Sequence, residues 1–252
     1  MTAFRPLHRS VRLLFRKEVR QFLRSRQAVL TGLLLPALLM VVAPGLQLFS
    51  ASASSARARS SIPSVVPGLN GITDVRGIFL YLTFPLFVVL AGLMTPSLAA
   101  VYTVISERER RSIELLVALP VSVTDIVTAK LAANLAVAAV TLAPLFAIDA
   151  AVILLVTSAG PLFVLAAFFV LLAALTASIG VSLLLALVAR DFRTANNLNG
   201  AFVLPTMIVT GLCVTLVPGL WRFLVLAVLL LAMGGAASWI ALRWLTFERY
   251  LS

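Results

Sequence analysis

Of the nine acids in the chain, one stands well inside a long apolar run, Asp149. An ionisable group in such a place is a functional candidate by default, here as a contact for an ion or a polar substrate. It follows Lys130 by nineteen residues, about 28 Å along a straight helix. That length puts it near the outer surface of a span, where water or Arg222 could satisfy it, so a purely structural carboxylate stays open as the alternative. A second concentration of reactive side chains lies in the run Ser106–Ser122. There Glu107, Arg108, Glu109, Arg110, Arg111 and Glu114 surround a short apolar edge of Ile113, Leu116, Val117 and Pro120. An apolar edge with a charged rim suits docking to a partner. The alternative is a solvated loop that only carries charge.

Much familiar chemistry is excluded. A phosphate-cradling P-loop needs a glycine directly before its lysine. The two lysines, Lys17 and Lys130, follow Arg16 and Ala129, so the chain has no such loop and no ATP hydrolysis of its own by that route. The single histidine, His8, is in the basic N-terminal arm, which removes a zinc protease site and an intramembrane Ser–His pair. An aspartyl dyad needs two acids sharing a proton, and only Asp149 is deep in an apolar run. Cys213, the lone cysteine, can form no internal disulfide and reads as packing. The chain is expected to be no enzyme, with no catalytic, metal or cofactor site.

The elements that position these groups follow from composition. Hydrophobic residues make up 62% of the chain and charged residues 12%, about half the usual charged share of a soluble domain. A chain solvated by lipid must satisfy its backbone internally, as helices or a closed barrel. A barrel would show alternating segments of about 10 residues; unbroken apolar runs point to helices. The expectation is an all-α membrane protein of six spans, at about 28–49, 77–106, 125–156, 161–189, 198–217 and 221–245. The links near Ser158–Gly160 and Pro218–Gly219 are short, which makes the helices they join antiparallel neighbours. Gly211, Pro218 and Gly219 would also allow re-entrant helices. Pro36, Pro85, Pro96, Pro144 and Pro205 fall inside the spans and are expected to kink them.

The net charge is +11. Sixteen of the twenty basic residues fall on one side of this layout; only Arg57, Arg59, Arg76 and Arg222 fall on the other. The positive-inside rule then places both termini in the cytoplasm and accounts for the charge without nucleic acid. The arm 1–27 carries an apolar stripe of Leu7, Val11, Leu14, Phe15, Phe22 and Leu23 among arginines, the pattern of a helix lying at a headgroup surface. It serves either as a topological anchor or as a lever on the first span. The apolar run behind it is too long for a secretory signal, despite Ala51-Ser52-Ala53. Residues 246–252 form a cytoplasmic tail. Ser106 with Glu109, and Ser122 with Asp125, form capping boxes, so a short charged helix sits between spans two and three. Small residues recur at Ala132, Ala136 and Val140, and at Ala173, Ala177 and Val181, spacing that favours close helix packing, within the chain rather than between copies.

At the charged segment the chain resembles the membrane subunits of type-2 ATP-binding-cassette exporters. Those permeases carry an acidic–basic–acidic triplet, Gly-Thr, a glutamate, an apolar run and Pro-Val after their second span. Glu107-Arg108-Glu109, Glu114 and Pro120-Val121 match; Arg111-Ser112 stands where Gly-Thr is usual. The resemblance extends to the whole layout. It implies a permease that forms its pathway with a second, identical or homologous permease. It also implies two separate P-loop ATPase subunits, which hold ATP and Mg and dock on Glu107, Glu109, Arg110, Arg111 and Glu114. The bilayer would be a bacterial or archaeal plasma (inner) membrane. The cargo is open. A wall of Phe79, Phe84, Phe87, Phe163, Phe168, Phe169 and Phe202 would favour a lipophilic one, although these rings could equally face lipid or core. A stand-alone secondary transporter or channel, and a membrane assembly or scaffold protein, remain the alternatives.

Overall fold

A computed structural model describes residues 20, 34, 36–54, 75–95, 123–157, 159–188 and 192–244. Helix α1, Ala43–Ser54, is entered through a π-helical stretch, Leu38–Val42. Helix α2, Val75–Ile78, runs into a second π-helical stretch, Phe79–Thr83, and helical backbone continues over 84–95. Four long helices follow: α3, Val123–Val156; α4, Pro161–Val188; α5, Phe192–Leu216; and α6, Trp221–Trp244. Among the described residues there is no strand.

The all-helical expectation holds. Helices α3 to α6 each contain a stretch long and apolar enough to cross a membrane, while Leu38–Gln47 and Phe79–Thr95 are shorter apolar helices. On α6, Trp221 and Trp239 are both exposed. They are eighteen residues apart, about 27 Å along the axis, which matches a hydrocarbon core of roughly 30 Å with an aromatic at each boundary.

Both π-helical stretches have the same local cause. Each ends two residues before a proline: Val42 precedes Ala43-Pro44, and Thr83 precedes Phe84-Pro85. A proline ring collides with the carbonyl four residues back and offers it no N–H. The helix widens just before the collision, and the Ala43 and Phe84 amides donate five residues back, to Leu38 and Phe79. Pro144 and Pro205, by contrast, sit within continuous α-helix.

Helix α4 is the centre of the bundle. It packs most extensively on α6 and also contacts α3 and α5. Small residues make that possible. A Cβ added at Gly234 would lie 2.6 Å from the Ala177 Cα and 2.9 Å from its nitrogen, and one added at Gly92 would lie 2.7 Å from the Ala174 Cβ. Backbone thus meets backbone where α4 crosses α6. Of the two small-residue rows, Ala173, Ala177 and Val181 are buried here, inside the chain. The other row faces outward: Val140 is 75% exposed. Hydroxyls inside the helices bond to the carbonyl one turn back, as Thr206 does to Phe202 and Thr210 to Thr206. Ser178 instead donates across to the Leu93 carbonyl and ties α4 to the second apolar segment.

The turn between α5 and α6 is tight. Gly219 adopts φ +63°, a region that costs an L side chain strain. Helix α5 is continuous through Gly211 to Leu216, and α6 begins at Trp221, so no further helix stands between them.

Candidate functional site

The α3–α4 and α5–α6 turns share one end of the bundle, and two buried ionisable groups are gathered there. An aromatic cluster marks the place. Phe163, near the start of α4, packs edge-on against Tyr81 and Phe223 with ring centroids 5.5 and 5.1 Å away, and against Phe84 at 6.1 Å.

Arg222 is 1% exposed. Its Nη1 donates to the carbonyls of Tyr81 at 2.9 Å and Val214 at 3.2 Å, and its Nε donates to the Gly219 carbonyl at 2.8 Å. Its guanidinium lies 5.1 Å from the Tyr81 ring centroid, within cation–π range. The Nη1 partners follow from the sequence. Tyr81 is four residues before Pro85, and Val214 is four before Pro218. In a regular helix the amide four residues on would satisfy each carbonyl, and proline has none. One guanidinium nitrogen therefore fills two proline-made vacancies, joining the second apolar segment to the α5–α6 hairpin. Cys213 adds its thiol to the same knot, donating to the Arg222 carbonyl with sulfur and oxygen 3.7 Å apart.

Asp149 is placed quite differently. It lies on α3 seven residues before Val156, about 10 Å below the helix end, and is 5% exposed. Its Oδ2 is buried and has no hydrogen-bond partner. A cavity of about 40 Å³ is lined by Asp149 with Val41, Pro44, Gly45, Phe79, Phe84, Ile148, Val152 and Ile153. The carboxyl is thus buried against protein rather than open to water, and the Arg222 bonds described above go to carbonyl groups. Straight-helix depth alone could not reveal that the first two apolar segments cover this face of α3.

Three of the seven phenylalanines considered as a pathway wall are core. Phe79, Phe84 and Phe163 are buried, Phe87, Phe168 and Phe202 are half-buried, and only Phe169 is exposed. Glu107, Glu109, Arg110, Arg111 and Glu114 lie outside the described residues, as do most of the arm 1–27 and the tail 246–252. No group of three or more His, Cys, Asp or Glu residues is close enough to hold a metal among the described residues.

Long apolar helices packed on small residues, with two ionisable groups buried among them, define a multi-pass membrane protein. The family model for ABC-2 family transporter proteins matches residues 12–231, and the chain belongs to that family. It is a transmembrane permease of the ABC transporter class, the transport component rather than a catalytic subunit. Neither the curated proteins nor the solved structures contain a match to the chain.

Proposed function

We propose that the chain is the permease subunit of an ATP-driven exporter. Two permease copies, or this chain with a homologous one, form the pathway, and two separate P-loop ATPases drive it. The observation that carries this reading is the family match over residues 12–231, a range within which the charged segment 106–122 falls. In this reading the two shorter apolar helices belong to spans one and two, making six. Both termini lie in the cytoplasm, with the arm 1–27 at the headgroup surface, as the basic-residue distribution requires. The bilayer is a bacterial or archaeal plasma (inner) membrane.

Coupling then has a simple physical form. Glu107, Glu109, Arg110, Arg111 and Glu114 present alternating charge at the cytoplasmic surface, and an ATPase docks on them. ATP and Mg are held by the ATPase, whose closure pulls on spans two and three. Force on span two meets its weakest ladder at the π-helical stretch before Pro85, and span one has the same device before Pro44. The close crossing of α4 and α6 at Gly234 is the part that does not yield.

Affinity purification from native membranes in mild detergent tests this. The expected result is a co-purifying soluble P-loop ATPase that is lost, or uncoupled from transport, in Glu114→Lys. A permease variant with normal assembly, ATPase rate and transport would remove the docking role from Glu114. One observation favours a second reading, a self-contained transporter: the enclosed carboxylate of Asp149. Ion-gradient-driven flux by the purified chain alone would support it.

A further inference from the structure

The Asp149 cavity has a chemistry that narrows its occupant. Its size, about 40 Å³, suits one guest group about as large as a water molecule. Its lining offers a single carboxyl group; every other lining side chain is a valine, proline, glycine, phenylalanine or isoleucine. The buried Oδ2 accepts no hydrogen bond. An anion would meet repulsion. A calcium or magnesium ion seeks six or more oxygens, and the lining side chains bring only one carboxyl group. A cationic nitrogen needs less. It can give one charge-assisted bond to a carboxylate and rest its remaining surface on aromatic walls, which attract cations. Phe79 and Phe84 provide those walls, with ring centroids 6.2 Å apart and planes tilted by 49°.

The cavity also opens sideways. Ile148 and Val152 line it and are 48% and 37% exposed on the outer face of α3. Gly45 also lines it, and a Cβ there would meet nothing within 4 Å. An apolar chain can therefore trail from the cavity along Ile148 and Val152 into the lipid while its head remains inside. Burying an uncompensated carboxylate is costly, and a cationic head would offset that cost.

We propose that Asp149 and its cavity bind the primary ammonium head of a lipophilic amine. This rests on the permease reading and names a cargo class for it. The test is equilibrium binding of tritiated dodecylamine to the full-length chain in nanodiscs, with tritiated dodecanol as the uncharged control. The expected result is saturable binding of the amine, absent for the alcohol. Asp149→Asn should weaken it about tenfold, the scale of losing one charge-assisted hydrogen bond. Asp149→Glu should retain part of it. Gly45→Leu, which adds bulk at the cavity's lining without altering the carboxyl, should weaken it as well. Equal binding of amine and alcohol, or unchanged amine binding in Asp149→Asn, overturns the proposal. If Asp149→Asn fails to fold, unchanged binding in Gly45→Leu overturns it equally. The assay contains no ATPase, so its failure leaves the co-purification result, and the exporter reading, standing on their own.

Discussion

Asp149 and Arg222 are opposite charges, each buried at the same end of the bundle and each beside the stretch Phe79–Thr83, yet they are solved in opposite ways. Arg222 is held by three carbonyl groups, two of them freed by prolines. Asp149 faces a cavity with an oxygen unfilled. The difference teaches how to sort intramembrane charges. A charge whose hydrogen bonds are met by the fold holds the fold together; a charge whose bonds are not met is kept for something the fold does not contain.

The largest effect should come from breaking the satisfied member. Arg222→Ala strands the Tyr81 and Val214 carbonyls, at roughly 1–3 kcal/mol each. Its melting temperature in detergent should fall by about 5–10 °C. Arg222→Lys, which keeps charge but not the planar fork, should fall in between.

A smaller effect sharpens the cause. Pro85→Ala restores an amide that can reach the Tyr81 carbonyl, so Arg222→Ala should cost about 1 kcal/mol less in that background than alone. Additive losses in the double-mutant cycle would show that the vacancy left by Pro85 is not what Arg222 fills.

Comparable in size, but away from both charges, is the α4–α6 seam. Gly234→Ala drives a methyl into the Ala177 backbone and should cost about 1–3 kcal/mol as overpacking. Gly235→Ala, where a Cβ meets nothing within 4 Å, should be neutral in the same melting assay.

The unsatisfied member should respond least in stability. Asp149→Leu removes a buried oxygen that has no partner, so its melting temperature should stay level or rise while transport falls. A marked loss of stability would place Asp149 with Arg222 as a structural group and dissolve the contrast.

How far the sequence reveals this can be followed residue by residue. Apolar runs with hardly a charge gave away the helical class, because hydrogen-bond satisfaction in lipid leaves few options. Asp149 was visible as the only acid deep in such a run. Its enclosure was not, because it depends on the first two apolar segments packing over α3. Arg222 stands in the sequence reading as one of four basic residues on the sparse side and as a candidate partner for Asp149, not as a brace between segments. A signal existed: prolines at 85 and 218 announce free carbonyls at 81 and 214. Only tertiary structure brings those two carbonyls, more than 130 residues apart in sequence, to one guanidinium. Pro44 and Pro85 do not by themselves mark the π-helical stretches, since Pro144 and Pro205 remove a donor at the same offset within continuous α-helix. The charged segment around Glu114 stays an argument from sequence and family resemblance.

The central claim is that this permease works as part of a larger ATP-driven assembly. Native mass spectrometry of the tagged chain, released from its own membrane in mild detergent, tests it most directly. The account predicts a complex of two permease chains and two P-loop ATPase chains, reduced to permease alone by Glu114→Lys. A wild-type chain that flies without any ATPase, from membranes where other ABC transporters keep theirs, would contradict it.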